Sequence, residues 1–288
     1  MIDSFAYFNE QDILFLRLEY LAPHVDKFVI VELDTTFSLY PHRKMFGKVY
    51  KKLPNEIKSK IVYEFIEVDK NLIQYTGEVG SIDYKNKSRS IDHIMRNTKM
   101  ELIKSISKDD YFMMSDIDEI WNPNQVVQAK QLIDNYGKMC WEQDMRSGFI
   151  DWKSHIESWF GTKGSTVDAI DQTNAVAELY VPKGKSKAFY ENKILKGGWH
   201  FTLMGDVQTK TQQIIAKREG PGWERKLQMP SNEISNKIFE NKYNSIVKKK
   251  AMRVNKVQES QGLDPVLYTI AKKYTGLWSK DLSPERKK

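Results

Sequence analysis

The chain has 288 residues, 40% of them hydrophobic and 29% charged, with a formal charge of +7 and a pI of about 9.1. This composition excludes a disordered chain and suits one large α/β domain, with or without an appendage. The single cysteine, Cys140, excludes an intrachain disulfide, and a buried, inert thiol is expected there.

The opening MIDSFAYFNEQD lacks the basic and apolar regions of a signal peptide. No stretch approaches the ~20 apolar residues of a membrane span, so the expected location is cytoplasmic. A basic chain attracts anions: nucleic acid, acidic lipid or phosphorylated small molecules. A basic nucleic-acid-binding protein is the non-enzyme alternative, but no nucleic-acid-binding motif is present and no nucleic-acid partner is expected.

In chain order, Ser4 to Phe8 reads as a short strand. Leu14, Leu18, Leu21 and Val25 mark a helix over Gln11 to Val25. KFVIVEL, Lys27 to Leu33, is a near-continuous apolar run, the signature of a parallel strand buried on both faces. Another strand is expected over Ile61 to Val68. A helical stripe from Ile91 to Ile106 then leads to a strand over Tyr111 to Ser115. Asn124 is placed to cap a helix running to Tyr136, with Gly137 as its stop. Met139 to Met145, Ala175 to Val181 and Ile194 to Leu203 read as strands, and Val207 to Arg218 as a helix. Two polar helices, Ile234 to Val254 and Pro265 to Tyr274, form a C-terminal helical extension over 231–288, after a main domain over 1–230. The alternation argues for an α/β fold with a mostly parallel central sheet, whose ligands sit beyond the carboxyl ends of the strands.

The segment YFMMSDIDEI, Tyr111 to Ile120, runs an apolar strand into three carboxylates. In extended chain, Asp116 and Asp118 point the same way. Two bare carboxylates repel each other; a divalent cation removes the conflict, and Mg²⁺ or Mn²⁺ takes carboxylates together with diphosphate oxygens. The pair is therefore a candidate metal–diphosphate seat. An ordinary strand end whose acids cap a turn is the plainer reading. The loop lacks the later ligands of an EF-hand. A metal-dependent phosphatase or nucleotidyltransferase would use the same acids.

Three further stretches accompany this motif: FAYFNEQDILFLRLEYLAPHVDKFVIVELDTTF (Phe5 to Phe37), Arg96-Asn97 before the acidic strand, and GGWHFTLMG (Gly197 to Gly205). In this order, over roughly Phe5 to Glu219, they resemble glycosyltransferase family 17, the β-1,4-mannosyl-glycoprotein β-1,4-N-acetylglucosaminyltransferase family. The resemblance implies a GT-A-like, Rossmann-type nucleotide-sugar-binding fold. It also implies inverting transfer of N-acetylglucosamine from UDP-GlcNAc to a glycan or lipid-linked sugar acceptor, with Mn²⁺ (or Mg²⁺) as cofactor. It implies that Asp116 and Asp118 hold the metal against the donor diphosphate, with His200 as third ligand. Asn9, Glu10 and Glu32 fall where the nucleoside is expected, and Arg96 and Asn97 where donor phosphate or sugar is expected.

Inverting transfer needs a carboxylate base. Asp144 is the first candidate, followed by Glu142, Asp151 and Glu219. The family's usual His-Glu appears here as Arg218-Glu219, without the histidine. Trp278, Tyr274 and the lysines around them can be read as a peripheral membrane contact or, more plainly, as a solvated terminal helix with one packed aromatic face.

Overall fold

The structure, a computed structural model, describes residues 1–36, 41–69, 82–107, 110–154, 159–173, 192–204 and 254–279. Its strands are β1 (Ile2–Ala6), β2 (Lys27–Leu33), β3 (Ile61–Ile66), β4 (Tyr111–Met114), β5 (Glu119–Trp121), β6 (Lys138–Ser147), β7 (Trp152–Ser154), β8 (Trp159–Thr166), β9 (Lys193–Ile194), β10 (Gly198–Thr202) and β11 (Val254–Lys256). Its helices are α1 (Gln11–Leu21), α2 (Phe46–Tyr50), α3 (Asn55–Lys58), α4 (Ile82–Ile106), α5 (Val126–Tyr136), α6 (Val167–Thr173) and α7 (Pro265–Ala271). The expected strand over Ala175 to Val181, the helix Val207 to Arg218 and nearly all of the helix Ile234 to Val254 lie outside the described residues.

The main sheet runs β11-β7-β6-β8-β4-β1-β2-β3. From β3 to β4 every pairing is parallel, as the apolar runs require. Beyond β4 the sheet becomes mixed. β8 pairs antiparallel with both β4 and β6, while β10 runs parallel to β6 and antiparallel to β5. The fold is α/β and Rossmann-like in its first half. β1 is the pivot, because the chain moves to β2 on one side and returns as β4 on the other.

One sheet face packs Leu14, Leu18 and Leu21 of α1, Ile133 of α5 and Leu267 of α7 over Phe28, Ile30, Met113 and Trp141. The other packs Met100 and Ile103 of α4 and Ile170 of α6 over Ile2, Val29, Phe112 and Met114. Cys140 lies in this second cluster, and burial pushes its thiol up to about 12, an inert group at neutral pH.

β1 begins two residues earlier than its sequence suggests, because Ile2 pairs with both Lys27 and Phe112. α1 stops at Leu21, leaving Val25 buried in the turn before β2. The start of α5 is also corrected. Asn122, not Asn124, supplies the side-chain oxygen, accepting from Asn124 N–H at 3.1 Å, and a 3-10 turn over Pro123–Gln125 leads into the helix. Gly137 ends it at φ 72°, as expected of a left-handed stop.

The C-terminal part is tied to the sheet. β11 pairs with β7, and Asp264 caps α7 through the N–H groups of Val266 and Leu267. Trp278 and Leu277 are buried, Lys272 pairs with Glu259 and Lys273 with Glu19. These aromatics serve packing, and no helix among the described residues is long and apolar enough to cross a membrane.

Candidate active site

A cleft opens at the carboxyl ends of β1, β2 and β4, where the strand order reverses, the place at which open α/β sheets take ligands. Asp116, Ile117 and Asp118 form the wall after β4. Tyr7 and Phe8 follow β1, Thr35 and Thr36 follow β2, and Ile91 and Met95 of α4 close the cleft from above.

The acidic turn is held from below by Arg17 of α1, a fully buried side chain. Its Nε and one terminal nitrogen donate to both oxygens of Asp3 at 2.8 and 2.7 Å. Its other terminal nitrogen donates to the backbone carbonyls of Asp116 (2.9 Å), Ile117 (3.1 Å) and Glu119 (3.0 Å). A further bond reaches Ser115 Oγ at 2.7 Å, and the guanidinium lies 4.5 Å from the Phe5 ring centroid. One planar cation thus fixes three carbonyl directions of the turn, those of Asp116, Ile117 and Glu119, and with them where the acidic side chains leave the backbone. Lys99 of α4, also buried, donates to Ser115 O at 3.4 Å; burial and the neighbouring Arg96 bring its pKa down to about 8, against the pull of Asp116.

Glu119 completes the turn. Its carboxylate accepts from Asp116 N–H (3.1 Å) and Trp159 Nε1 (2.6 Å). Burial raises its pKa, and Asp116 and Asp118 add to that, while His200 and Trp159 oppose it. Gly161 of β8 makes the space for it: a Cβ there would lie 2.5 Å from Glu119 Cδ.

His200 arrives on β10, which pairs with β5 so that His200 stands opposite Glu119. Its Nε2 is 3.4 Å from Asp118 Oδ2, and its ring packs on Trp159 with centroids 4.5 Å apart. The approach depends on Gly198, whose φ is 149° and where a Cβ would sit 2.2 Å from Ile120 O. Among the described residues no three His, Cys, Asp or Glu side chains are grouped closely enough to hold a metal ion. The structure brings His200 to Asp118, and places Asp116 on the cleft wall beside them.

Of the other expected donor-side residues, Glu10 lines the cleft and accepts from the N–H groups of Phe8 (3.2 Å) and Asn9 (3.0 Å), so it braces the turn after β1. Asn9 is buried beside it and faces a second cavity of about 290 Å³. Arg96 is bonded to Asp92 at 2.9 Å; burial disfavours its charge, but Asp92, Asp116 and Glu119 outweigh this and raise its pKa. Asn97 follows it on α4.

Glu32 is fully buried behind the cleft. It accepts from Met45 N–H (2.6 Å), Phe46 N–H (3.1 Å) and Tyr63 Oη (2.7 Å), and its Oε1 lies 3.0 Å from His42 Nε2. Burial alone would raise its pKa, but these donors outweigh burial and hold it below the usual carboxylate value. Glu32→Gln is expected to cost about 2 kcal/mol or more, since an amide cannot accept from all four donors. Because the folded pKa is lowered, this contribution is present above the unfolded carboxyl value of ~4.3 and is lost as the pH falls through the folded one. The stability gap between wild type and variant, followed by denaturant unfolding, should therefore be full at pH 7 and shrink on acidification.

The candidate bases are scattered. Asp144 stands opposite Trp199 in the β6–β10 pairing, so its side chain leaves the sheet on the face opposite His200. There it accepts from Arg146 at 2.7 Å and pairs with Lys153 at 2.8 Å. Asp151 is buried and holds the C-terminal segment through Ser279 N–H (3.0 Å) and Ser279 Oγ. Glu142 sits on β6 beside a register shift, its carbonyl accepting from Gly197 N–H at 2.6 Å. Glu219 lies outside the described residues. Strand alternation thus places Asp144, the first candidate base, on the face opposite His200, and Asp151 anchors the C-terminal segment.

The model of glycosyltransferase family 17 matches residues 1–164, more than half of the chain, from β1 into β8 and including the acidic turn. The chain belongs to glycosyltransferase family 17. It is therefore a glycosyltransferase. No curated protein matches this family 17 chain in a direct sequence comparison. Among solved structures it is similar to S. aureus TarS 1–349 in complex with UDP-GlcNAc, at 12% identity over 86% of this chain and 75% of that one, with a TM-score of 0.39. It is also similar to the galactosyltransferase LgtC in complex with donor and acceptor sugar analogs (12% identity, 78% and 82% covered, TM-score 0.34). A third is 4-diphosphocytidyl-2C-methyl-D-erythritol synthase from Anaerococcus prevotii DSM 20548 (8% identity, 68% and 88% covered, TM-score 0.35).

Proposed function

We propose that this family 17 glycosyltransferase is metal-dependent and inverting, and that it moves N-acetylglucosamine from UDP-GlcNAc to a hydroxyl of a glycan or lipid-linked sugar. The observation that carries the reading is the acidic turn Asp116-Ile117-Asp118 on the wall of the switch-point cleft, with His200 3.4 Å from Asp118. Carboxylates and an imidazole are residue types that suit Mn²⁺, with Mg²⁺ as the harder alternative; no three of them are grouped closely enough among the described residues to hold an ion by themselves, so diphosphate oxygens would supply the remaining ligands. When bound, the cation supplies positive charge to the departing nucleoside diphosphate.

The chain's own residues do the rest. Asp116 and Asp118 are aimed by the three carbonyl bonds of Arg17. Arg96, held by Asp92 and within the field of Asp116, adds charge beside the donor. Tyr7, Phe8 and the threonines after β2 form the side of the cleft that receives the nucleoside. Asp144 and Asp151 bond other groups, and Glu142 shares the strand face of Asp144, so of the four candidate bases Glu219 is the one to substitute first.

The test is a thermal-shift panel of nucleotide sugars, each with and without Mn²⁺. UDP-GlcNAc is expected to raise Tm only when the metal is present, by about 2.7 kcal/mol of added stability at a hundredfold excess over Kd. A rise with another nucleotide sugar alone would overturn the donor. Equal rises without metal would overturn the role of Asp116 and Asp118.

A further inference from the structure

We propose that His42 reads the base of the donor nucleotide, selecting a ring N–H, as in uracil, over the bare ring nitrogen that cytosine presents at the same position. This rests on the nucleotide-sugar reading above.

The position comes first. β2, β1 and β4 are neighbours, and strands lie about 4.8 Å apart, so the end of β2 is roughly 10 Å from the acidic turn after β4. That is the offset a nucleoside needs when its diphosphate sits at Asp116 and Asp118. His42 lines the cleft on the β2 side, next to Phe8. The two rings are 4.5 Å apart and tilted by 39°, an apolar and aromatic wall for a flat base.

The ring is held firmly. His42 N–H donates to Asp34 O at 2.7 Å, next to the bridge between Thr35 and Pro41. Glu32, buried and surrounded by donors, lies 3.0 Å from His42 Nε2. A carboxylate there requires the proton on Nε2. In the neutral ring this leaves Nδ1 as a hydrogen-bond acceptor, and Nδ1 bonds no group among the described residues. An acceptor facing a base pairs with an N–H. Uracil carries one at N3, where cytosine carries a second acceptor, and two facing acceptors leave both unpaired.

The test is calorimetric titration of UDP, CDP and inorganic pyrophosphate into the wild type, His42→Leu and His42→Gln, all with Mn²⁺. Wild type should prefer UDP to CDP by roughly tenfold or more. His42→Leu should bring the two within about twofold, with pyrophosphate binding unchanged. His42→Gln keeps a donor for Glu32 but moves its remaining acceptor, Oε1, away from the Nδ1 position, so it should retain the wild-type unfolding midpoint and still lose the preference. This second variant decides the matter if His42→Leu fails to fold. A preference that survives in folded His42→Gln, or a wild type that favours CDP or does not discriminate, overturns the role of His42 and leaves the donor reading standing. Binding of pyrophosphate without binding of either nucleotide overturns both.

Discussion

Asp116→Asn and Asp118→Asn should each lower kcat for sugar transfer by about a hundred- to a thousandfold while the protein stays folded. The magnitude follows from what the two carboxylates do in the proposed mechanism. They anchor the cation that offsets charge on the leaving diphosphate, and losing a single well-placed electrostatic contact of this kind costs about 10²–10³ in rate. Asparagine keeps the shape of the side chain and removes the charge. The two variants should differ in stability. Asp116 is half-buried on the cleft wall, and its backbone, not its carboxylate, makes the bonds to Arg17 and Glu119. Asp118 is buried against His200, so its substitution should change the unfolding midpoint more than that of Asp116. Donor turnover with Mn²⁺, set beside thermal unfolding of the same samples, checks both statements. A folded variant that transfers sugar at the wild-type rate would remove these residues from the metal site.

How far the sequence discloses this site depends on the kind of signal. The acidic turn is legible because an apolar strand and a cluster of carboxylates are each unusual, and more so in succession. β2 is legible to the residue, since a strand buried on both faces must be apolar throughout. β8 is not. It reads WFGTKGST, with two glycines and few apolar residues, yet it sits between β4 and β6 in the sheet. Its glycines are there because Glu119 and Gln143 crowd Gly161, and Met113 and Met139 crowd Gly164. What those neighbours demand of β8 is tertiary information that no local pattern carries.

The same limit hid Glu119 and Glu32. Glu119 belongs to the acidic segment, but nothing local shows that it turns inward to hold Trp159 and the Asp116 N–H while its neighbours face the cleft. Glu32 looked like a residue for the donor because it ends a strand at the nucleoside side; its carboxylate instead organises the chain around His42 and Met45. His42 had no motif around it at all. Asp144 is the first candidate base by sequence, and strand alternation places it on the face opposite His200. A position next to the site in sequence says little about which face of a strand a side chain takes.

Arg17 is the residue whose loss should do most damage, and the sequence held a signal for it. An arginine between Leu16 and Leu18 interrupts the apolar stripe of α1, and the structure extends β1 back to Ile2, which brings Asp3 into the strand. Two opposite charges buried in adjoining elements point to a pair. Arg17→Ala should cost about 3–5 kcal/mol, because it leaves the Asp3 carboxylate buried without its cation and three carbonyls without their donor. Arg17→Lys should also be damaging, since a point charge cannot reproduce the fork that bonds Asp3 on one side and the acidic turn on the other. The paired change Arg17→Met with Asp3→Leu separates structure from function. Replacing a buried ion pair by apolar residues of similar volume is often neutral for stability, although here Trp121 Nε1 also loses its bond to Asp3, so recovery of the unfolding midpoint should be partial. Activity should not recover with it, since the carbonyls of Asp116, Ile117 and Glu119 stay unclamped and the aim of the carboxylates proposed to bind the metal stays loose. In the double variant the apparent Mn²⁺ requirement should rise well above that of wild type at a stability close to normal. Recovery of both stability and Mn²⁺ requirement would make Arg17 a packing residue with no part in positioning the site.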